Sequence, residues 1–253
     1  MILISWIKKL KTDLVQGIPN LFRRYASYLR WFLRIIFALV FIEIGYIWGL
    51  MPDWDQFTHG PIQKSRMIVE YEYKQANRND LPSLRWYPVP FKIIPEHLVR
   101  AVVVAEDSRF YSHKGFDQAA IKRAIEYNLS IGKFAYGAST ISQQTIKNIL
   151  LNPSKNPLRK LHEAILTFAM EQQVGKQRIL EMYLNIAEFG PGIFGVDAAA
   201  RHYFYKSVRQ LTINESIELA ATLPSPRKNN PATRSKQFIR HRDKIRAHLG
   251  FPI

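Results

Sequence analysis

The chain has 253 residues, 47% of them hydrophobic, a formal charge of +16 and no cysteine. That length suits one main domain plus an appendage, and the missing cysteine excludes disulfides and thiolate metal sites. The charge sits at the ends: residues 1–34 carry seven basic side chains against Asp13 (net +6), residues 227–248 carry eight against Asp243 (net +7), and +3 remains for the rest.

Basic ends around a near-neutral body suit anionic lipid headgroups as well as nucleic acid. A solvated charged surface is the plainer reading of the C-terminal run. Residues 1–30 read as a basic cytoplasmic segment, an amphipathic helix interrupted at Gly17-Ile18-Pro19. Residues 31–51 read as a transmembrane anchor. Its core, Ile35 to Met51, is 17 residues long, near the lower limit for a spanning helix. Trp31 and Phe32 extend it, Arg34 can snorkel, and Trp48 and Trp54 suit the far interface. Glu43 near the middle costs about 2.5–3.5 kcal/mol as a charge, so it is expected protonated or against a partner helix. A signal peptide fits less well, because the basic region before the apolar run is long and no small-residue cleavage site follows cleanly. A buried core helix is the third reading. The basic flank is N-terminal, which places the N-terminus in the cytoplasm and residues 52–253 outside.

Residues 52–94 read as irregular, broken by Pro82, Pro88 and Pro90, with a short strand at Met67–Tyr73 as a weak option. Pro95 suits a first helical position and Glu96 its first turn. Leu98, Val99, Val102, Val103 and Ala105 form a helical stripe leading into Glu106. Thr140-x-x-Gln143 reads as a capping box, and Asn156-Pro157 as an N-cap and first position. Leu158, Leu161, Ile165, Phe168 and Ala169 are the expected buried face of the next helix, stopped by Gly175. A second capping box, Thr212-x-x-Glu215, opens a helix ending at Pro224, and a last helix spans about Ser235 to Leu249. No segment alternates as a long strand, so the class is all-α.

Three polar clusters stand out in this apolar helical pattern. Glu106 precedes Asp107, Arg109 and a polar aromatic turn; partial burial there would raise its pKa and suit it to proton transfer. The plainer reading is a helix-end pair with Arg109. Ser139, Thr140, Gln143 and Gln144 gather hydroxyls and amides at a helix N-terminus, an anion or sugar site, and capping alone leaves Gln144 unexplained. Lys147 follows Gln143 by four residues. Arg159 and Lys160 stand four and three residues before Glu163, an arrangement that is otherwise a surface salt bridge worth well under about 1 kcal/mol. His113, His162 and His202 have no metal-ligand spacing, and Gly190-Pro191-Gly192 is a turn.

Taken together these stretches resemble the peptidoglycan glycosyltransferases of family 51, the polymerase module of bifunctional penicillin-binding proteins. The motifs are Glu106-Asp107-x-x-Phe110-x-x-His113-x-Gly115, Gly137-x-Ser139-Thr140-x-x-Gln143-Gln144-x-x-Lys147-Asn148, Arg159-Lys160-x-x-Glu163, Lys176-x-x-Ile179-Leu180-x-x-Tyr183-Leu184-Asn185, and Gly195 through Phe204. They cover roughly residues 80–232, and with no transpeptidase module following them the chain looks like the monofunctional form. Ser142 replaces the usual threonine, Asp197 the common glutamate, and Tyr205 the usual glycine.

The resemblance implies a lysozyme-like helical domain with a smaller membrane-associated jaw at about residues 116–138. Tyr127, Leu129, Ile131, Phe134 and Tyr136 would supply the jaw's apolar surface, with an ordinary buried loop as the alternative. It implies polymerisation of lipid II into β-1,4-linked glycan with release of undecaprenyl pyrophosphate. Glu106 maps to the general base and Glu163 to the second catalytic carboxylate. Arg109, Ser139, Thr140, Gln143, Gln144, Lys147, Arg159 and Lys160 map to substrate binding. A divalent cation, Mg or Mn, is a candidate at Glu163, and no organic cofactor is expected. Expected partners are lipid II, the growing glycan, membrane lipid and proteins of cell-wall synthesis and division, with no nucleic acid. The rival readings are a lysozyme-like enzyme that cleaves the same polymer, which needs no cations for a neutral leaving group, and a non-catalytic membrane scaffold.

Overall fold

The first element is a helix, α1 (Ile2–Leu50), that runs unbroken through Gly17-Ile18-Pro19. The expected interruption is absent: the backbone continues past a proline that removes one ladder hydrogen bond. Tyr25–Leu50 is long and apolar enough to cross a bilayer, and none of its apolar window is buried. Its 26 residues span ~39 Å at about 1.5 Å per residue, more than a hydrocarbon core of roughly 30 Å. The Arg34 guanidinium lies 5.2 Å from the centre of the Trp31 ring, a cation–π contact suited to an interface. The computed structural model describes residues 2–78, 80–133, 137–151 and 158–251, with side chains at 5, 6 and from 25 onward. It divides into two units, Met1–Pro52 and Asp53–Ile253.

The second unit is helical, with one small sheet. A short helix, α2 (Asp55–Thr58), precedes α3 (Arg66–Ala76). The weak strand option at Met67–Tyr73 is therefore wrong. Ser65 caps α3 by accepting from the Ile68 amide, and Ile68 and Tyr71 then pack with Ile186 and Phe194. The chain then forms β1 (Arg85–Trp86) and, after a 3₁₀ turn at Phe91–Ile93, enters α4 (Glu96–Glu106). Pro95 is the N-cap of α4, one position earlier than expected, and Glu96 does stand in the first turn. Leu98, Val99, Ala101 and Val102 form its buried face.

Asp117 caps α5 (Gln118–Ile131), and Gly132 ends it with φ +66°. This helix lies in the segment expected for the jaw, with Tyr127, Leu129 and Ile131 exposed, so the buried-loop alternative fails there. Phe134 and Tyr136 lie outside the described residues, as does the expected Asn156-Pro157 start. The Thr140–Gln143 capping box forms in both directions at α6 (Ile141–Leu150).

Helix α7 (Arg159–Gln173) buries a different face from the one expected. His162, Glu163, Leu166, Thr167 and Met170 point inward, whereas Leu158, Leu161 and Phe168 are exposed. Its inner stripe is set one residue around the helix because Glu163 and Thr167 are drawn into the domain. Gly175 is the N-cap of α8 (Lys176–Ile186). Next come β2 (Glu188–Gly190), the Gly-Pro-Gly turn and β3 (Ile193–Phe194). The sheet order is β1-β3-β2, with β1 parallel and β2 antiparallel to β3.

Gly195 turns the chain into α9 (Val196–Phe204) with φ +83°; a Cβ there would sit 2.7 Å from the Asn185 carbonyl oxygen. The second capping box opens α10 (Ile213–Thr222), and Ser235 caps α11 (Lys236–His248). Helix α10 packs on α4, α6 lies between α7 and α8, and α11 covers α10 and α4. Phe110, Tyr183, Phe189, Phe194 and Phe238 are fully buried in this unit; each large apolar side chain so buried contributes about 1.5–3 kcal/mol.

Candidate active site

Glu106 is the last residue of α4, and the chain turns sharply at Asp107 (φ −160°, ψ 74°). Asp107 is buried and fixes that turn. Its carboxylate meets Nε2 of His113 at 3.0 Å and accepts from the Ile141 amide, the first of α6, at 3.1 Å. One side chain thus ties the end of α4 to the start of α6. Gly115 (φ +88°) lets the chain pass tightly beside α7, where a Cβ would meet Thr167 Cγ2 at 3.0 Å.

From α6, Nε2 of Gln144 donates to Oε2 of Glu106 at 2.6 Å. The Tyr183 hydroxyl donates to the amide oxygen of Gln144 at 3.3 Å, which orients the amide. Burial is the main cause of a raised Glu106 pKa; the Gln144 hydrogen bond and the Lys147 charge pull the other way. Burial also holds the Tyr183 hydroxyl well above its ordinary value, so it stays protonated. A half-buried carboxylate with a raised pKa and one firm donor is a competent proton acceptor.

Lys147 feels both glutamates, which favour its charge. Partial desolvation and the Arg159 and Lys160 charges lower its pKa, and the desolvation outweighs the rest even though solvent reaches the side chain. Glu163 is almost fully buried. Lys160 donates to one of its oxygens and Arg159 stands 3.5 Å from the other. The pairing read from the sequence is present, but the carboxylate side of it is buried, so it is no ordinary surface salt bridge. Lys160 also reaches the Ser139 hydroxyl at 3.3 Å.

The remaining expected site residues are engaged otherwise. Thr140 and Gln143 are buried and cap α6, and the Thr140 hydroxyl donates to the Gly115 carbonyl at 2.7 Å. Arg109 does not pair with Glu106. It donates to Asp117, its Nε at 2.9 Å, and holds that carboxyl below its ordinary range. Ser142, which replaces the usual threonine, donates to Glu171, which also binds Lys176 at 2.7 Å.

A groove of about 940 Å³ opens over Glu106. Ser139, Gln144 and Lys147 line one part of it, and Arg240, His241 and Lys244 of α11 line another. The sequence reading missed this second wall, as it missed Asp107 and Tyr183. No spacing in the sequence singles out this face, because α11 is polar at 236, 237, 240–244, 246 and 248. A second cavity of about 200 Å³, bordered by Phe57, Ile62, Ile149 and Met182, has no carboxylate in its lining among the described residues.

A metal at Glu163 fits poorly. Both of its oxygens face cations, and among the described residues no group of three His, Cys, Asp or Glu side chains comes together to hold an ion.

An all-α domain with a carboxylate of raised pKa in a groove and a second carboxylate paired with cations suits a group-transfer enzyme with an anionic leaving group. Residues 77–249 match the family described as Transglycosylase, and the chain belongs to it. The curated relatives include the biosynthetic peptidoglycan transglycosylases of Nitrosospira multiformis, 41% identical over 78% of this chain and 86% of the relative, and of Aromatoleum aromaticum, 43% identical over 86% and 94%. That of Azoarcus sp. is 40% identical over 88% of this chain and 96% of its own length.

Proposed function

We propose that the protein polymerises lipid II into β-1,4-linked glycan strands. The observation that carries this reading is the pairing of Glu106 with Gln144 in a groove that also holds Lys147. Glu106 takes the proton of the acceptor 4-hydroxyl. That oxygen forms a bond to the anomeric carbon of the donor, the bond from that carbon to the pyrophosphate oxygen breaks, and the electron pair leaves with undecaprenyl pyrophosphate. A single displacement inverts an α-linked donor to a β product, the logic of an inverting glycosidase with a sugar hydroxyl in place of water.

Lys147, Arg159 and Lys160 act on the charge that grows on the leaving pyrophosphate. Glu163 keeps Arg159 and Lys160 in place for that purpose. Ser139 and Gln144 position sugar and phosphate. A cleaving enzyme expels a neutral sugar and has no use for this ring of cations, and a scaffold has no use for a carboxylate with a raised pKa. The assay is lipid II with the purified full chain: long glycan strands support the reading, and short muropeptides or no product defeat it.

Tyr25–Leu50 serves as the anchor, with the N-terminus in the cytoplasm and the enzyme domain on the far side of an inner membrane. The one-sided basic flank supports this orientation. An alkaline phosphatase fused at the C-terminus should be active in cells, and an inactive fusion reverses the topology. The exposed Leu129 and Tyr127 of α5 supply apolar surface for contact with lipid.

A further inference from the structure

The groove over Glu106 has two basic walls on different elements. Lys147 stands on α6, near the Arg159–Lys160–Glu163 cluster of α7. Arg240, Lys244 and His248 stand on α11 at intervals of four residues, and all three line the groove. Among the described residues Glu106 is the only carboxylate in the groove lining, so cations are in excess there. Arg242, on another face of α11, is neutralised by Asp243 at 2.7 Å and faces Glu218 at 3.8 Å. Arg240 and Lys244 have no such carboxylate partner among the described residues. Beside them Nε2 of His241 is buried and makes no hydrogen bond, and burial with the Lys244 charge keeps that imidazole neutral near pH 7.

We propose that α11 is an acceptor-binding wall, in which Lys244, with Arg240, holds an oxyanion of the incoming acceptor. The proposal rests on the glycan-polymerase reading above. That reaction joins two anionic substrates. The cations of α6 and α7 serve the departing pyrophosphate, and a second positive locus is left for the substrate whose hydroxyl must reach Glu106. The oxyanion has two chemical sources on such an acceptor, its own pyrophosphate and the carboxylates of its peptide.

The test uses the full chain in detergent with preformed donor polymer at saturation and acceptor varied. Lys244→Ala should raise the acceptor KM about tenfold, the size of one lost charge-assisted contact, and leave kcat nearly unchanged. Lys244→Arg should restore most of the affinity. If the effect of Lys244→Ala vanishes with an acceptor whose peptide carboxylates are amidated, the peptide is the ligand. If it vanishes with a disaccharide-peptide lacking pyrophosphate, the phosphate is. An unchanged acceptor KM in Lys244→Ala and Arg240→Ala, with thermal unfolding unaltered, overturns the proposal. Direct titration of the lipid-linked disaccharide separates the two readings. If the wild type binds it without polymerising, the polymerase reading fails, and equal affinity in wild type and Lys244→Ala removes the wall.

Discussion

Nε2 of Gln144 lies 2.6 Å from Oε2 of Glu106, across 38 residues of sequence, and the Tyr183 hydroxyl holds the far end of the same amide. The Glu106 carboxylate is therefore positioned by three helices, α4, α6 and α8. The Gln144 donor stabilises the ionised carboxylate while burial opposes it, and burial prevails.

Removing the base should separate activity from stability. Glu106→Gln should lower the polymerisation rate by about 10²–10⁴-fold. Its folded-state pKa is raised above the unfolded value, so the stability from this group is full below the unfolded value and is lost as pH rises through the folded one. At neutral pH the ionised side chain is a burden that glutamine lacks. Thermal melts should show the variant at least as stable as the wild type near pH 7, with the difference shrinking as pH falls to about 4. A destabilised variant at neutral pH would contradict this account.

The hydrogen bond itself should be visible in a pH profile. With Glu106 proposed as the base, log kcat/KM should fall on the acid side, with an apparent pKa above the ordinary carboxylate value of 4.5. Gln144→Ala deletes the donor that favours the charged form. Its acid limb should move to higher pH, and a limb that stayed in place would show that the contact does not tune the base.

Among the cations, Lys147 and the Glu163 partners should behave differently. Lys147→Ala should reduce the rate by about 2–4 kcal/mol of transition-state stabilisation with little change in melting temperature. Lys160→Ala leaves the buried Glu163 with the longer contact to Arg159 as its one ion pair among the described residues, so it should lose both rate and stability. Equal melting temperatures for the two variants would place Glu163 in a wetter setting than described.

Tyr205 offers a prediction remote from chemistry. It ends α9 in the left-handed conformation (φ 58°, ψ 30°) and is 92% exposed. A side chain there carries backbone strain and almost no burial to offset it. Tyr205→Gly should raise unfolding stability by about 1 kcal/mol in denaturant titration. A loss of stability would mean that the ring makes contacts that outweigh the strain.

Much of this site was legible in the sequence wherever the signal was local. Both capping boxes, the span of α10 and the ends of α11 follow from hydroxyl and carboxamide residues at fixed offsets. The left-handed backbone at Tyr205 was not legible; the resemblance only marked the position as one where glycine is expected. What depended on distant partners was not legible. Ile68, Val69, Tyr71 and Tyr73 have strand-like preferences, and only the Ser65 cap and packing on Phe194 make them helical. Arg109 looked like a partner for Glu106 at three residues, yet Asp117 takes it at eight. The apolar stripe of α7 suggested a core face, but the buried Glu163 turned the helix so that Leu161 and Phe168 lie outside. Nothing local in α11 says which of its faces meets a groove.

Asp107 has a consequence for how such enzymes can diverge. It bonds the Ile141 amide directly across 34 residues, so the separation between base and amide is referenced to a single carboxylate and is indifferent to the path taken by most of the chain in between. The stretch after Asp117 can lengthen, shorten or change its exposed apolar surface while the geometry around Glu106 stays in register. Adaptation to a new membrane and preservation of the chemistry are thereby separate problems for this chain, and exchanging residues 118–133 for those of a relative should alter membrane affinity without shifting the acid limb of the pH profile.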